Sequence, residues 1–267
     1  MWDLQQYLAY ADERARPFHD LLARVAAADP AVVVDLGCGD GSLTELLSRR
    51  WPSAAVLGLD SSSEMLAAAA GRRIPGRLEF RAGTIETWSP GRVGEPGQAV
   101  DVLVSNAALQ WVPGHPDLLE RFVAALAGDG WLAVQVPGNF GAPSHRILAE
   151  LRASPRWRDR LGQGSDRAAA VLEPTGYLDR LTRLGCRVDV WETTYLHLLP
   201  GPDPVLNWVR GTALRPVLAA LSAAEAAEFS REYGERLRAA YSAGPAGTVL
   251  PFRRIFAVAQ RTGGTAA

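Results

Sequence analysis

The stretch Ala31-Val32-Val33-Val34-Asp35-Leu36-Gly37-Cys38-Gly39-Asp40-Gly41 constrains this chain more than any other. A short run rich in Val and Leu predicts a strand buried on both faces. The glycines after it permit a tight turn and a close backbone approach. Ser42 and Glu45 then form a capping-box pattern that opens a helix, with Leu43, Leu46 and Leu47 on its inner side. Strand, glycine turn and helix in that order offer free N–H groups to a ligand at the carboxyl edge of a parallel sheet.

The same rhythm continues. Strands are predicted from Ala54 to Leu59 (closed by Asp60), Leu78 to Ala82, Val100 to Ser105, and Trp131 to Val136. Ser61 and Glu64 repeat the capping-box signal before a helix that runs to about Arg73. Pro116 marks the start of another, whose buried face is Leu118, Leu119, Phe122, Val123 and Leu126, and Gly128 is its predicted end. After Pro137 the pattern breaks, and 139–172 reads as irregular and polar. A helix near 174–184, a strand from Arg187 to Leu198, a mostly helical stretch over 200–248 and a last strand from Ile255 to Gln260 complete the chain. The expected architecture is one α/β domain over residues 1–267. Its doubly wound, mostly parallel sheet of seven strands would carry helical cap insertions at about 139–172 and 200–248.

Composition narrows the function. The net charge of −1 gives no basic footprint for nucleic acid. No apolar run approaches the ~20 residues that span a bilayer. The opening residues Met1-Trp2-Asp3-Leu4-Gln5-Gln6 have no leader character, and Cys38 and Cys186 have no metal-ligand spacing, so a cytoplasmic protein with reduced thiols and no metal is expected. All 28 basic residues are Arg. Any anion site must therefore use guanidinium, imidazole or backbone N–H groups.

A glycine loop alone fits a nicotinamide-dependent dehydrogenase as well as a methyltransferase. Two features separate them. The spacing here is Gly-x-Gly-x-Gly, and Asp35 stands in the lead-in, where it suits an ammonium group and repels a pyrophosphate. Asp60, 23 residues after Gly37, suits ribose hydroxyls in either class.

With Asp60-Ser61-Ser62 downstream, Val34-Asp35-Leu36-Gly37-Cys38-Gly39-Asp40-Gly41 resembles the class I S-adenosylmethionine-dependent methyltransferases. The resemblance implies an antiparallel last strand, methionine over Gly37 and Gly39 near Asp35, and ribose on Asp60 beside Ser61. It places adenine between Met65 and Thr84-Ile85, although many members carry Asp where Thr84 stands. Met65 serves equally as a helix core residue. Asn106 and Ala107 would border the transferred methyl group. Further segments are similar to the trans-aconitate methyltransferases: Tyr7-Leu8 with Glu13-Arg14-Ala15-Arg16-Pro17, Ser105 to Pro113, Val134-Gln135-Val136-Pro137 with Asn139, Pro143-Ser144-His145, Trp191 to His197, Asn207-Trp208-Val209, and Phe252-Arg253-Arg254-Ile255-Phe256.

That family esterifies one carboxylate of a tricarboxylate. A carboxylate with a pKa near ~4 is already ionised at neutral pH, so no catalytic acid, base or nucleophile is expected and catalysis reduces to positioning. Candidate acceptor contacts are Arg254, Tyr195, His197, His145, Trp111, Tyr7 and Arg14, with Arg16, Arg215 and Arg253 as further cations. Each Arg has the alternative of a solvated charge or an internal ion pair. Tyr195 and His197 share one face of a strand, where a core role is the alternative. A methyltransferase for another small acid or a natural-product hydroxyl also stays open, as does a module that binds the nucleoside without catalysis.

Overall fold

A computed structural model describes residues 11–90, 99–162 and 171–262. Helix α1 spans Ala11–Leu22, β1 Val32–Leu36, α2 Ser42–Arg50, β2 Ala55–Asp60, α3 Ser63–Ala69 and β3 Leu78–Ala82. Strand β4 covers Val100–Asn106, α4 His115–Ala124, β5 Leu126–Pro137, α5 Pro143–Ala153, α6 Arg158–Leu161 and α7 Pro174–Arg183. Then come β6 Cys186–Leu199, α8 Pro204–Arg210, α9 Arg215–Ala219, α10 Ala223–Ala240, β7 Ala243–Gly244 and β8 Gly247–Arg261.

The strands lie in the order β3-β2-β1-β4-β5-β8-β6, with the two-residue β7 paired to β8 off that path. Pairings among β1 to β5 are parallel, and β8 joins β5 antiparallel. Period-two alternation sends Val34, Leu36, Leu103 and Val134 to one face, where Leu119, Phe122 and Val123 of α4 and Tyr177 and Leu181 of α7 cover them. Asp35 points the other way and meets Thr44 of α2. Both faces are thus clothed by helices, as the continuously apolar strands require.

The chain divides into two compact units. The larger lies within Asp12–Pro137, Ala169–Glu192 and Arg254–Ala267, and holds most of the sheet. The smaller is drawn largely from within Gly138–Ala168 and Thr193–Arg253. Its own core joins Leu148 and Leu151 of α5 and Trp157 to Trp208 of α8 and Phe229, Tyr233 and Leu237 of α10. The Tyr233 hydroxyl donates to the Ser144 carbonyl at 2.8 Å, and Ser222 with Glu225 forms a full capping box on α10.

Several local expectations change. Neither predicted capping box forms at α2 or α3. Asp40 Oδ1 accepts from both the N–H and the hydroxyl of Ser42, and Glu45 turns to Arg49 and Arg72 instead. At α3 the cap is Ser62, not Ser61, and its Oγ accepts from Met65 N–H at 3.3 Å. Gly128 does not end a helix. It lies inside β5, which starts at Leu126 and shifts register against β4 between Val100 and Val102. The stretch beyond Pro137 is helical over α5 and α6, with Pro143 opening α5 and Leu148 and Leu151 on its buried side. The last strand begins eight residues earlier than Ile255, at Gly247.

The start of α4 carries a buried polar pair, His115 Nε2 and the Tyr177 hydroxyl 2.7 Å apart. Burial holds the imidazole down at about 4, against an ordinary value of 6.5. The folded form resists protonation, so the unfolded chain takes up the proton first as pH falls below 6.5, and stability is lost down to about pH 4. Compared with His115→Phe at each pH, the wild type should lose about 2–3 kcal/mol between pH 7 and 4.5. Urea midpoints of the two proteins across that range test this.

Candidate cofactor and acceptor site

The turn after β1 is built from left-handed glycines. Gly37, Gly39 and Gly41 have φ of 84°, 57° and 74°. Gly37 N–H and Cys38 N–H both donate to the Leu59 carbonyl, at 2.8 and 3.0 Å, which seats the turn against the end of β2. Asp60 completes the seat: Oδ2 accepts from Gly39 N–H and Oδ1 from Ser62 N–H, each at 2.8 Å. One carboxylate thereby joins the turn after β1 to the start of α3. Arg72 ties the far side of the turn down, donating to the Asp40 carbonyl at 3.1 Å and to Glu45 at 2.8 Å.

The turn is crowded at both ends and open in the middle. A Cβ on Gly37 would stand 2.3 Å from that of Ala108, whereas a Cβ on Gly39 would meet nothing within 4 Å. Asp35 sits beneath, 3% exposed, accepting from the Thr44 hydroxyl at 2.7 Å. Burial raises its carboxyl from 3.8 to about 6; the Thr44 bond opposes that shift and the Asp60 charge adds to it. A cation beside this carboxyl would recover the desolvation that burial imposes.

Asn106 ends β4, and its Oδ1 is buried without a hydrogen-bond partner among the described residues. Ala107 follows in a left-handed conformation, φ 54°, a backbone strained by about 1–2 kcal/mol for a residue with a Cβ. Its N–H donates to the Gln135 carbonyl at 2.9 Å, and its carbonyl accepts from Gln110 Nε2 at 2.5 Å, so the strained turn is held from both sides.

Asn106, Gln135 and Phe256 are partners in register across β4, β5 and β8, and Arg254 stands two residues from Phe256 on the same face. Arg254 is 5% exposed, with Nη1 donating to Gln135 Oε1 at 3.2 Å. Phe256 stacks on Trp191 with centroids 4.8 Å apart. Gln135 and Gln110 fall in segments that resemble the family, but the sequence pattern assigns neither a role of its own. A single amide inside the apolar run from Trp131 to Val136 was the available signal for Gln135.

The other expected residues distribute as follows. Met65 and Ile85 are buried, Ser61 is exposed, and Thr84 is exposed with its hydroxyl 2.8 Å from that of Thr87. Trp111 is 44% exposed in the short helical turn after β4. Tyr195, His197 and His145 belong to the smaller unit. There His197 stacks on Trp208 at 4.8 Å and on Tyr195 at 6.3 Å, and His145 meets Phe140 edge-on. Arg253 Nη1 donates to the Gly138 carbonyl at 3.2 Å. Tyr7 and the Arg14 side chain lie outside the described residues. Among the described residues no cluster of His, Cys, Asp or Glu could hold a metal ion. None of their helices is long and apolar enough to cross a membrane.

The fold is similar to that of the YcgJ protein from Bacillus subtilis, with a TM-score of 0.60 at 13% identity over 92% of this chain and 100% of that one. Residues 7–186 match the family described as a methyltransferase domain. Sheet order, glycine turn and closing acid together define a Rossmann-like methyltransferase. The chain is 56% identical over 266 residues to trans-aconitate 2-methyltransferase of Streptomyces avermitilis, covering 97% of each. It is 53% identical over 272 residues to that of Streptomyces coelicolor, covering 99% of this chain and 88% of the relative. The chain belongs to the trans-aconitate 2-methyltransferase family.

The two glycines should separate folding from binding. Gly37→Ala adds a steric clash to a strained φ and should lower stability by roughly 2–4 kcal/mol. Gly39→Ala meets open space and should lose only about 1–2 kcal/mol. Thermal melts of both variants check the order, and equal losses would contradict the geometry.

Proposed function

We propose that the protein transfers the methyl group of S-adenosylmethionine to one carboxylate of trans-aconitate, giving a monomethyl ester. The observation that carries this reading is the 56% identity spread over 97% of each chain, which takes in the acceptor-side segments as well as the glycine turn. The residues at the turn fit the cofactor on their own geometry. Gly39 leaves open space, Asp35 is a buried carboxyl suited to an ammonium, and Asp60 retains lone pairs for ribose hydroxyls. Gly37, Ser61, Met65, Thr84 and Ile85 line the nucleoside's path, and Asn106 and Ala107 border the methyl group. The nicotinamide reading falls away with the family assignment.

When bound, S-adenosylmethionine supplies an electrophilic methyl group carried on a sulfonium. The chain's task is to hold an already ionised acceptor oxygen in line with that carbon, exclude water and leave protons where they are. Positioning of this kind can supply roughly 7–11 kcal/mol. Arg254 is the principal anion contact, since a planar guanidinium grips a carboxylate bidentately and never titrates near neutral pH. Trp111 lies in the same unit as Arg254 and is a further acceptor contact. The acceptor is a small polycarboxylate and the setting is the cytoplasm, where Cys38 and Cys186, both buried free thiols, would stay reduced.

Transfer of tritiated methyl groups across a panel of di- and tricarboxylates tests the reading, with trans-aconitate expected to lead. Over pH 6.5–9 the logarithm of kcat should be nearly flat, because no base is required. A slope near one would instead favour a hydroxyl acceptor.

Asp60→Asn keeps an acceptor for Gly39 N–H and removes the charge. Losing charge-assisted hydrogen bonds of about 1.5–3 kcal/mol should weaken S-adenosylmethionine binding roughly 10- to 100-fold. Isothermal calorimetry measures this, and an unchanged affinity would remove Asp60 from the ribose site.

A further inference from the structure

Gln135 is fully buried on β5, yet only one end of its amide is satisfied. Arg254 has donors and no acceptor, so the amide oxygen must be the atom facing Nη1 at 3.2 Å. That fixes the orientation of the group and turns its NH₂ away from Arg254. Gln135 Nε2 has no hydrogen-bond partner among the described residues. Its neighbour in register, Asn106, buries an Oδ1 that is equally unpartnered. A buried donor left unmade is costly, and such atoms are uncommon in native proteins unless a ligand completes them.

The backbone of the same residue also serves the site. The Gln135 carbonyl accepts from Ala107 N–H and holds the left-handed turn that borders the methyl group. One residue therefore touches both the guanidinium and the strained turn. It presents a fixed, unpaired N–H to the same end of the sheet.

We propose that Gln135 is a specificity-determining residue for the acceptor: its Nε2–H donates to an oxygen of the carboxylate that Arg254 grips, and its neutral Oε1 holds Arg254 in place. This rests on the functional reading above. The choice of Gln over Glu matters. Glutamate has nearly the same shape, but it lacks the N–H donor and its carboxylate would repel an incoming carboxylate. Neutral Gln orients the guanidinium without setting a negative charge beside the acceptor.

The test is Gln135→Glu, studied by steady-state kinetics, by calorimetry of trans-aconitate binding to the protein loaded with S-adenosylhomocysteine, and by thermal melting. The variant should raise KM and the acceptor Kd together by about 10-fold or more, the scale of one lost charge-assisted hydrogen bond. Its kcat at saturating acceptor should stay within about 3-fold, its S-adenosylmethionine affinity likewise, and its melting temperature should not fall. Gln135→Leu, which loses the donor without adding a charge, should weaken the acceptor while leaving cofactor affinity unchanged. If Gln135→Leu fails to fold, the Glu variant still decides. An active wild type whose Glu variant keeps the acceptor Kd within 2-fold overturns this inference alone. A wild type that leaves trans-aconitate unmethylated overturns the functional reading and this inference with it.

Discussion

The site depends on one carboxylate. Asp60 accepts from Gly39 N–H with one oxygen and from Ser62 N–H with the other. It thereby fixes the turn after β1 and the entry to α3 at once. Charge-assisted bonds to backbone N–H are short and strong, and both donors would otherwise need solvent. From this anchor the rest follows in order. The turn is held open at Gly39, Ser62 is set to cap α3, and Met65 is carried into the core.

A second constraint acts at the next strand boundary. The Gly37 Cα lies so close to Ala108 that no side chain fits between them, which fixes where the chain must pass after β4. Ala107 absorbs the resulting turn with a left-handed φ, and Gln135 and Gln110 hold it. Backbone geometry at Ala107 is thus set together by β5, the turn after β1 and the short helical turn after β4.

Much of the sheet was legible in the sequence because parallel strands buried on both faces are nearly continuous apolar runs. The β1 run and β2, Ala55–Asp60, are of that kind. Caps were harder. Ser61 has the spacing to Glu64, yet Asp60 takes the N–H of Ser62 and makes that residue the cap. Asp40, two residues ahead of Ser42, occupies the hydroxyl that a capping box would have used. Helix α5 stands out little in the sequence because its apolar residues are few, although Pro143 and the spacing of Leu148 and Leu151 mark it. The glycine turn and its acids could be read from spacing, but the pairing of Gln135 with Arg254 joins residues 119 positions apart. Only the register of β5 against β8 brings them together.

Ala107 has an evolutionary consequence. Glycine would relieve its backbone at once, and such a change is a single step toward a more stable protein. Keeping a methyl side chain there places the position on the side of a trade-off where stability yields to a defined surface at the end of β4. Proteins sit near a threshold of stability, so a lineage that holds this strained residue has less tolerance for further destabilising change in the surrounding turn. Variation should therefore be narrower over residues 106–111 than their surface exposure alone, Trp111 included, would suggest.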